Sequence, residues 1–261
     1  MRRTTPLAWL WLGLGMVYMI VPLFATTLFS LQAQKDTLSL LAYQNILAGP
    51  EFFSSFAFSF QTALLVIAIS VLLLVPTAYW VQLRMPRLQP VIELLTLLPI
   101  VIPAVVLVFA LIRSYNRTPL TDSREGTYVL LVGAYVMLAF PFIYRSVDIG
   151  LRAINVRTLT EAAQSLGAEW YTVLARVILP NILVAVLSGA FVTFAIVMGE
   201  FTIAALLSQP AFGPYMHRLS LRRVYEPSAV AVMSFVLTWA AIAVLQVISR
   251  RGSAATQVLG R

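Results

Sequence analysis

The chain has 261 residues, of which 60% are hydrophobic and only 11% charged, with a formal net charge of +8. Soluble domains carry about 25% charged residues, so the apolar excess has to face lipid. The absence of cysteine and the single histidine exclude disulfides, thiolate metal sites and a histidine-built metal cage.

Of the 18 basic residues all but Lys35 are arginine. They fall at the ends of apolar runs without interleaved aromatics, which is the pattern of membrane topology and not of nucleic-acid binding. The first apolar run covers residues 7–31, just after Arg2-Arg3. A signal peptide has an apolar region of roughly 7–15 residues and then a small-residue cleavage site. This run is longer and no such site follows, so it reads as a first spanning helix. Residues 32–60 mix Lys35, Asp36, Gly49-Pro50 and Glu51 with Phe52, Phe53, Phe56, Phe58 and Phe60. They are predicted to form a loop and a helix lying at the membrane interface, with the phenylalanines as anchors. The second span, 62–83, ends in a basic turn containing Arg84, Pro86, Arg87 and Pro90. The third, 92–112, is kinked by Pro99 and Pro103, and Glu93 at its start complements the helix dipole. Residues 113–127 are polar. The fourth span, 128–144, is followed by Arg145, Asp148, Arg152 and Arg157.

Residues 148–180 then form a polar loop with helical periodicity. Leu159, Ala162, Ala163 and Leu166 fall at i, i+3, i+4 and i+7 and are predicted to share one face. Thr158 precedes Glu161 by three residues, a capping-box pattern that puts Glu161 in the first turn. Gly167 supplies the positive φ that ends a helix. Trp170, Val173, Leu174 and Val177 repeat the periodicity, and Pro180 opens the next apolar run. The expectation is two short helices joined at a glycine hinge and held at the membrane face. In the fifth span, 180–198, Ala185, Gly189 and Thr193 form a small-residue stripe for close helix approach. Gly199-Glu200-Phe201 interrupts the run, and residues 208–228, with His217, are polar and basic. The last span, 229–248, ends at Arg250-Arg251. Six spans near the 20 or so residues a bilayer requires define an all-α polytopic membrane protein, one transmembrane domain over residues 1–261. Cytoplasmic termini leave eleven of the basic residues inside and seven outside, with Arg218, Arg222 and Arg223 against the trend.

The chain has no G-x-x-x-x-G-K-[ST], so it carries no P-loop ATPase of its own, and neither G-x-S-x-G nor H-E-x-x-H occurs. Glu200 stands out, because a carboxylate flanked by apolar sequence is costly in a membrane and is a functional hypothesis by default. Glu200, Phe201 and Thr202 are the candidate substrate pathway. The competing readings of Glu200 are a structural carboxylate paired with a partner subunit's arginine, or a residue at the interface.

Glu161-Ala162-Ala163, Gly167 and Val177-Ile178-Leu179-Pro180 resemble the signature loop of the permease subunits of bacterial type I ABC importers, with Val177 where that signature has isoleucine. The resemblance implies the six-helix permease fold of that family, with both termini cytoplasmic in a bacterial inner membrane. It assigns Glu161, Ala162, Ala163, Leu166, Gly167, Leu179 and Pro180 to ATPase coupling, Glu161 making the polar docking contact. The implied partners are two copies of a cytoplasmic ABC ATPase, which hold ATP and Mg, a second, non-identical permease, and an extracytoplasmic binding protein. No cofactor or metal is implied in this chain, which transports and is not an enzyme. Length, the loop after the first span and Glu200 are most similar to the spermidine/putrescine branch, so the implied substrate is a polyamine. Iron(III), thiamine and aminoethylphosphonate importers share the branch, and Glu200-Phe201 is also similar to molybdate permeases. An intramembrane enzyme would need a catalytic partner for Glu200, and many secondary transporters would show inverted repeats.

Overall fold

The protein is described here by a computed structural model over residues 6–34, 37–240 and 243. The expected basic positions Arg2, Arg3, Lys35, Arg250, Arg251 and Arg261 lie outside these residues, as does most of the last span beyond residue 240. The chain divides into two compact units, Met1–Phe52 with Met216–Arg261, and Phe53–Tyr215. Among the described residues the secondary structure is helical, with no β-strand.

Helix α1 (Pro6–Ser30) is apolar on all sides and almost wholly exposed, as a lipid-facing span requires. A short loop leads to α2 (Leu41–Leu47). Ser30 Oγ and Tyr43 OH are hydrogen-bonded at 2.7 Å across that loop.

Helix α3 (Pro50–Arg84) corrects the reading of residues 32–60. It is a single helix of 35 residues, about 50 Å long at 1.5 Å per residue. The Phe-rich segment is therefore not a helix of its own but the first part of the second span, and the separate helix of residues 32–60 is α2. Phe56 and Phe60 share a helix face at i, i+4 and find inward partners. Phe56 meets Phe212 edge-on at 5.7 Å, and Phe60 meets Phe194 at 5.5 Å. Phe58 packs on Tyr128 at 5.4 Å. Phe52 is buried and Phe56, Phe58 and Phe60 are partly buried, so much of this patch packs inward; Phe53 is the one of the five that stays largely exposed.

The third span is broken more sharply than a kink. A 3-10 turn at Pro86–Leu88 leads into α4 (Gln89–Val101), and α5 (Ala104–Ser114) leaves it at 96°. Ile102 is extended, with ψ 119°, because the ring of Pro103 excludes the helical region for the residue before it. After α6 (Pro119–Asp122), α7 (Arg124–Arg152) is capped by Ser123 Oγ, which accepts from Gly126 N at 2.9 Å.

The loop after α7 holds α8 (Val156–Ser165), α9 (Trp170–Thr172), a π-helical stretch (Val173–Ile178) and α10 (Leu179–Asn181). Helix α11 (Leu183–Gly199) then turns off at 77°, and α12 (Thr202–Leu206), α13 (Phe212–Ser220) and α14 (Glu226–Ala240) follow. Among the described residues three helices are long and apolar enough to cross a membrane unbroken, and up to five crossings result if each bent pair counts as one. The sixth expected run begins in α14, a shorter apolar helix.

Helix α7 is the spine of the second unit. Its closest neighbour is α11, and glycine sets the distance. A Cβ on Gly189 would stand 3.0 Å from the Ile143 Cα, and one on Gly150 would stand 2.6 Å from the Ala185 Cβ. The stripe of Ala185, Gly189 and Thr193 does face another helix as expected, and Thr193 is fully buried. Two apolar clusters line α7. One gathers Leu131 and Tyr135 with Val66, Val108 and Phe194; the other gathers Ile143, Tyr144 and Leu151 with Tyr79, Val156, Val173 and Ile178. The second cluster therefore pins the polar loop onto the ends of α3 and α7.

Candidate functional site

The loop of residues 148–180 is built from the end of α7. Helix α7 stops at Arg152, and Asn155 caps α8 by accepting from Thr158 N through Oδ1 at 3.2 Å. The expected capping box is thus corrected. Asparagine is a stronger cap than threonine, and Val156 needs to be helical to reach the apolar cluster. The helix starts three residues earlier than the pattern implied, so Glu161 lies in mid-helix. There it accepts from Arg157 Nε at 2.8 Å, an i, i+4 pair on the solvent side. This hydrogen bond, and the carboxylate charge behind it, raise the Arg157 guanidinium above its ordinary pKa.

The inward face is also shifted. Val156, Leu159, Thr160 and Ala163 turn toward the protein, while Ala162 and Leu166 turn out. Leu166 is 90% exposed. Thr160 explains the shift. Its hydroxyl donates to the Val156 carbonyl at 2.7 Å, so the Tyr79 hydroxyl, 3.1 Å away, donates to it. A buried polar pair of this kind cannot be seen from apolar spacing alone.

Gly167 has φ +83°, as its position predicts. Gly167 N donates to the Gln164 carbonyl at 2.9 Å, and Ala168 N to the Ala163 carbonyl at 3.1 Å. That double closure is a Schellman motif, and a hinge between α8 and α9 results. Trp170 and Tyr171 are about half exposed beyond it, whereas Val173 and Ile178 are buried. Pro180 brings no N–H, and the preceding turn widens to π-helix. Asn181 Nδ2 donates to the Val177 carbonyl at 2.7 Å. The chain does not run straight from Leu179-Pro180 into α11. Its corner falls after Asn181, at Ile182, which leaves the helical region with φ −105° and ψ 8°. Leu179 is half-buried and Pro180 exposed.

The break at the end of α11 is present. Glu200 is extended, with ψ 129°, and α12 restarts at Thr202. The Glu200 carboxylate is fully engaged. Oε2 accepts from the Tyr135 hydroxyl at 2.8 Å and from Ala204 N at 3.2 Å, and Oε1 accepts from Ile203 N at 2.8 Å. It satisfies the open N–H groups of α12 and fastens them to α7. Phe201 is 39% exposed and Thr202 half-buried. A Cβ on Gly213 would meet the Glu200 carbonyl at 2.5 Å, so α13 starts directly against the break. Tyr135 and Arg152 are 17 positions apart on α7, about 25 Å. The structure therefore does not bring Glu200 and the loop of Glu161 together.

Besides the Tyr79–Thr160 pair, sequence reasoning missed the partners of Glu200 and Glu93. Tyr135 lies inside the fourth span, and spacing along that span does not mark it as the partner of Glu200. Glu93 is not a first-turn charge: it accepts from Arg152 at 2.6 Å, while Arg152 Nε donates to Asp148 at 2.8 Å and Gln89 Nε2 to Asp148 at 3.0 Å. The i, i+4 spacing of Asp148 and Arg152 was the available signal. Among the described residues no three His, Asp or Glu side chains gather to hold a metal ion.

The chain is thus a polytopic helical membrane protein with a broken span and a hinged, solvent-exposed loop between two crossings. The chain belongs to the family of binding-protein-dependent transport system inner membrane components, which it matches over residues 75–253. Over 217 residues it is 30% identical to the molybdenum transport system permease protein ModB of Mycobacterium tuberculosis, covering 78% of this chain and 82% of that one. It is 34% identical over 142 residues to a protein of Haloferax volcanii named a probable molybdenum ABC transporter permease, covering 51% of each. It is 28% identical over 124 residues to the spermidine/putrescine transport system permease protein PotC of Escherichia coli K12, covering 46% of this chain and 47% of that one. The match thus spans about half the length of the last two relatives.

Proposed function

We propose that this chain is a permease subunit of a binding-protein-dependent ABC importer, with the loop of α8, Gly167 and α9 as its contact to the ATPase. The observation that carries this reading is the division of α8 into a face held on the Tyr79–Thr160 bond and a free face of Glu161, Ala162 and Leu166, ended by a positive-φ hinge. A firmly seated element that exposes an apolar side chain rimmed by polar residues suits docking into a cleft of a partner. The system then comprises two copies of a cytoplasmic ATPase that bind ATP and Mg, a second, non-identical permease and an extracytoplasmic binding protein. The membrane is the bacterial inner membrane, with both termini and the loop of 148–180 cytoplasmic.

For the substrate, a molybdate-type oxyanion has the better support. The broader of the matches is to molybdenum permeases, and the carboxylate that favoured a polycation already accepts three hydrogen bonds within the chain. A polyamine is the second reading, favoured by the likeness to the spermidine/putrescine permease. The test is uptake of radiolabelled molybdate and of spermidine into proteoliposomes holding the chain, its partner permease, its ATPase and its binding protein, with and without ATP. ATP-dependent accumulation of molybdate supports the first reading and of spermidine the second. No ATP-dependent uptake of either would sink the importer assignment for these two substrates.

A further inference from the structure

We propose that Arg152 is a positioning residue that straps α4, the first arm of the broken span, to the end of α7 that feeds α8, so that α4 and α8 move as one body. The inference rests on the importer reading above.

The attachment of α4 is thin. Its inward line consists of Gln89, Ile92, Thr96 and Pro99, while Leu94, Leu95, Leu97, Leu98, Ile100 and Val101 face out. Only one large aliphatic side chain, Ile92, packs inward. Its far end is cut from α5 by the 96° corner at Ile102–Pro103. A stripe that narrow, in lipid, does little to stop a helix from rolling or sliding, because lipid tails are as apolar as the residues they would replace.

The polar rungs supply what the stripe lacks. Gln89 and Glu93 are one turn apart on α4, and Asp148 and Arg152 are one turn apart on α7. Gln89 Nε2 donates to Asp148 Oδ1 at 3.0 Å, Arg152 Nε donates to Asp148 Oδ2 at 2.8 Å, and Arg152 Nη2 donates to Glu93 Oε1 at 2.6 Å. Two half-exposed charges alone contribute little. Here Asp148 is buried to 7% exposure, and it already holds the guanidinium plane. The entropy of fixing Arg152 is therefore spent before Glu93 is reached, and the fork geometry is specific to arginine. Three residues past Arg152 stands Asn155, the cap of α8, so the strap and the docking helix share one short, hydrogen-bonded connection. A displacement of α8 then has a direct polar route to α4.

The test uses the assembled transporter in proteoliposomes, with ATP hydrolysis and uptake of molybdate or spermidine, whichever the wild type accumulates, measured together. Glu93→Gln leaves both bonds to Asp148 in place and removes only the charge from the Arg152–Glu93 rung, leaving a weaker neutral acceptor. It should assemble and hydrolyse ATP, while substrate moved per ATP falls by about two- to thirty-fold. The chain has no native cysteine, so Glu93→Cys with Arg152→Cys can be bridged by a short bis-methanethiosulfonate. Bridging should restore the ratio, and reduction should abolish it again. An unchanged ratio in Glu93→Gln overturns the strap, and so does a parallel loss of hydrolysis and uptake. Arrest of uptake by the bridge also overturns it, since that would make the contact one that must open. A wild type without ATP-driven uptake brings down the importer reading with it, whereas a coupled wild type with an unaffected Glu93→Gln removes this inference alone.

Discussion

Glu200 shows how a residue's environment changes its meaning. In the sequence it is an isolated carboxylate in apolar surroundings. In the fold it has three donors, from Tyr135, Ile203 and Ala204. Removing it leaves a buried hydroxyl and two amides without their acceptor, and each unsatisfied buried group costs about 1–3 kcal/mol. Glu200→Ala should therefore lower the melting temperature of the purified protein clearly, and Glu200→Gln, which keeps one acceptor oxygen, should lower it less. Equal melting of all three proteins would contradict the fastening of α12 to α7 through Glu200. Gly167 is the second such residue. At φ +83° an L side chain costs about 1–2 kcal/mol, and a β-branched one fares worst. A Cβ there meets nothing within 4 Å, so the strain stays in the loop, and Gly167→Val should reduce ATPase co-purification and uptake far more than it lowers global melting. Retention of the ATPase at wild-type stoichiometry would refute this.

Among elements, α8 carries the central assignment, and its face is where spacing and structure part. Apolar periodicity alone grouped Leu166 with the inward residues, because it cannot register a buried threonine bonded to a tyrosine 81 positions away. Glu161→Lys should abolish uptake with little effect on folding. The substitution replaces the Arg157–Glu161 pair by two cations at i, i+4, worth only a few tenths of a kcal/mol in the helix. An unpaired charge in a closed interface, by contrast, costs about 2–5 kcal/mol. Normal uptake by Glu161→Lys would make α8 an ordinary surface helix. The packing of α7 on α11 yields an independent check. Gly150→Ala places its Cβ at 2.6 Å from that of Ala185, and overpacking costs typically about 1–3 kcal/mol. Ala185→Gly should recover part of that loss in the double variant, since the two sites share one contact. Additive losses would mean that the helices separate there in the folded protein.

For the whole molecule, the expectation that can be checked without any partner is sidedness. The loop of 148–180 and the chain termini are proposed to lie in the cytoplasm. Ser165 is exposed at the end of α8, so Ser165→Cys is reachable by a thiol reagent on one side only. Labelling should occur in inverted vesicles and not in intact cells with a membrane-impermeant maleimide. Labelling of intact cells would reverse the topology.

The sequence by itself determined the helical membrane class, the positions of the apolar runs, the glycine hinge, the small-residue stripe and the interruption near Glu200. All of these follow from local chemistry: lipid demands apolar runs of helical length, and glycine or proline marks where a backbone turns. The tertiary structure decided what lies across space. It made the Phe-rich segment part of a 35-residue span, turned a kink into a 96° corner, moved the cap of α8 to Asn155 and gave partners to Glu200, Glu93 and Thr160. Those outcomes depend on which polar atoms meet between helices far apart in the chain, and periodicity along one helix contains no record of its neighbours.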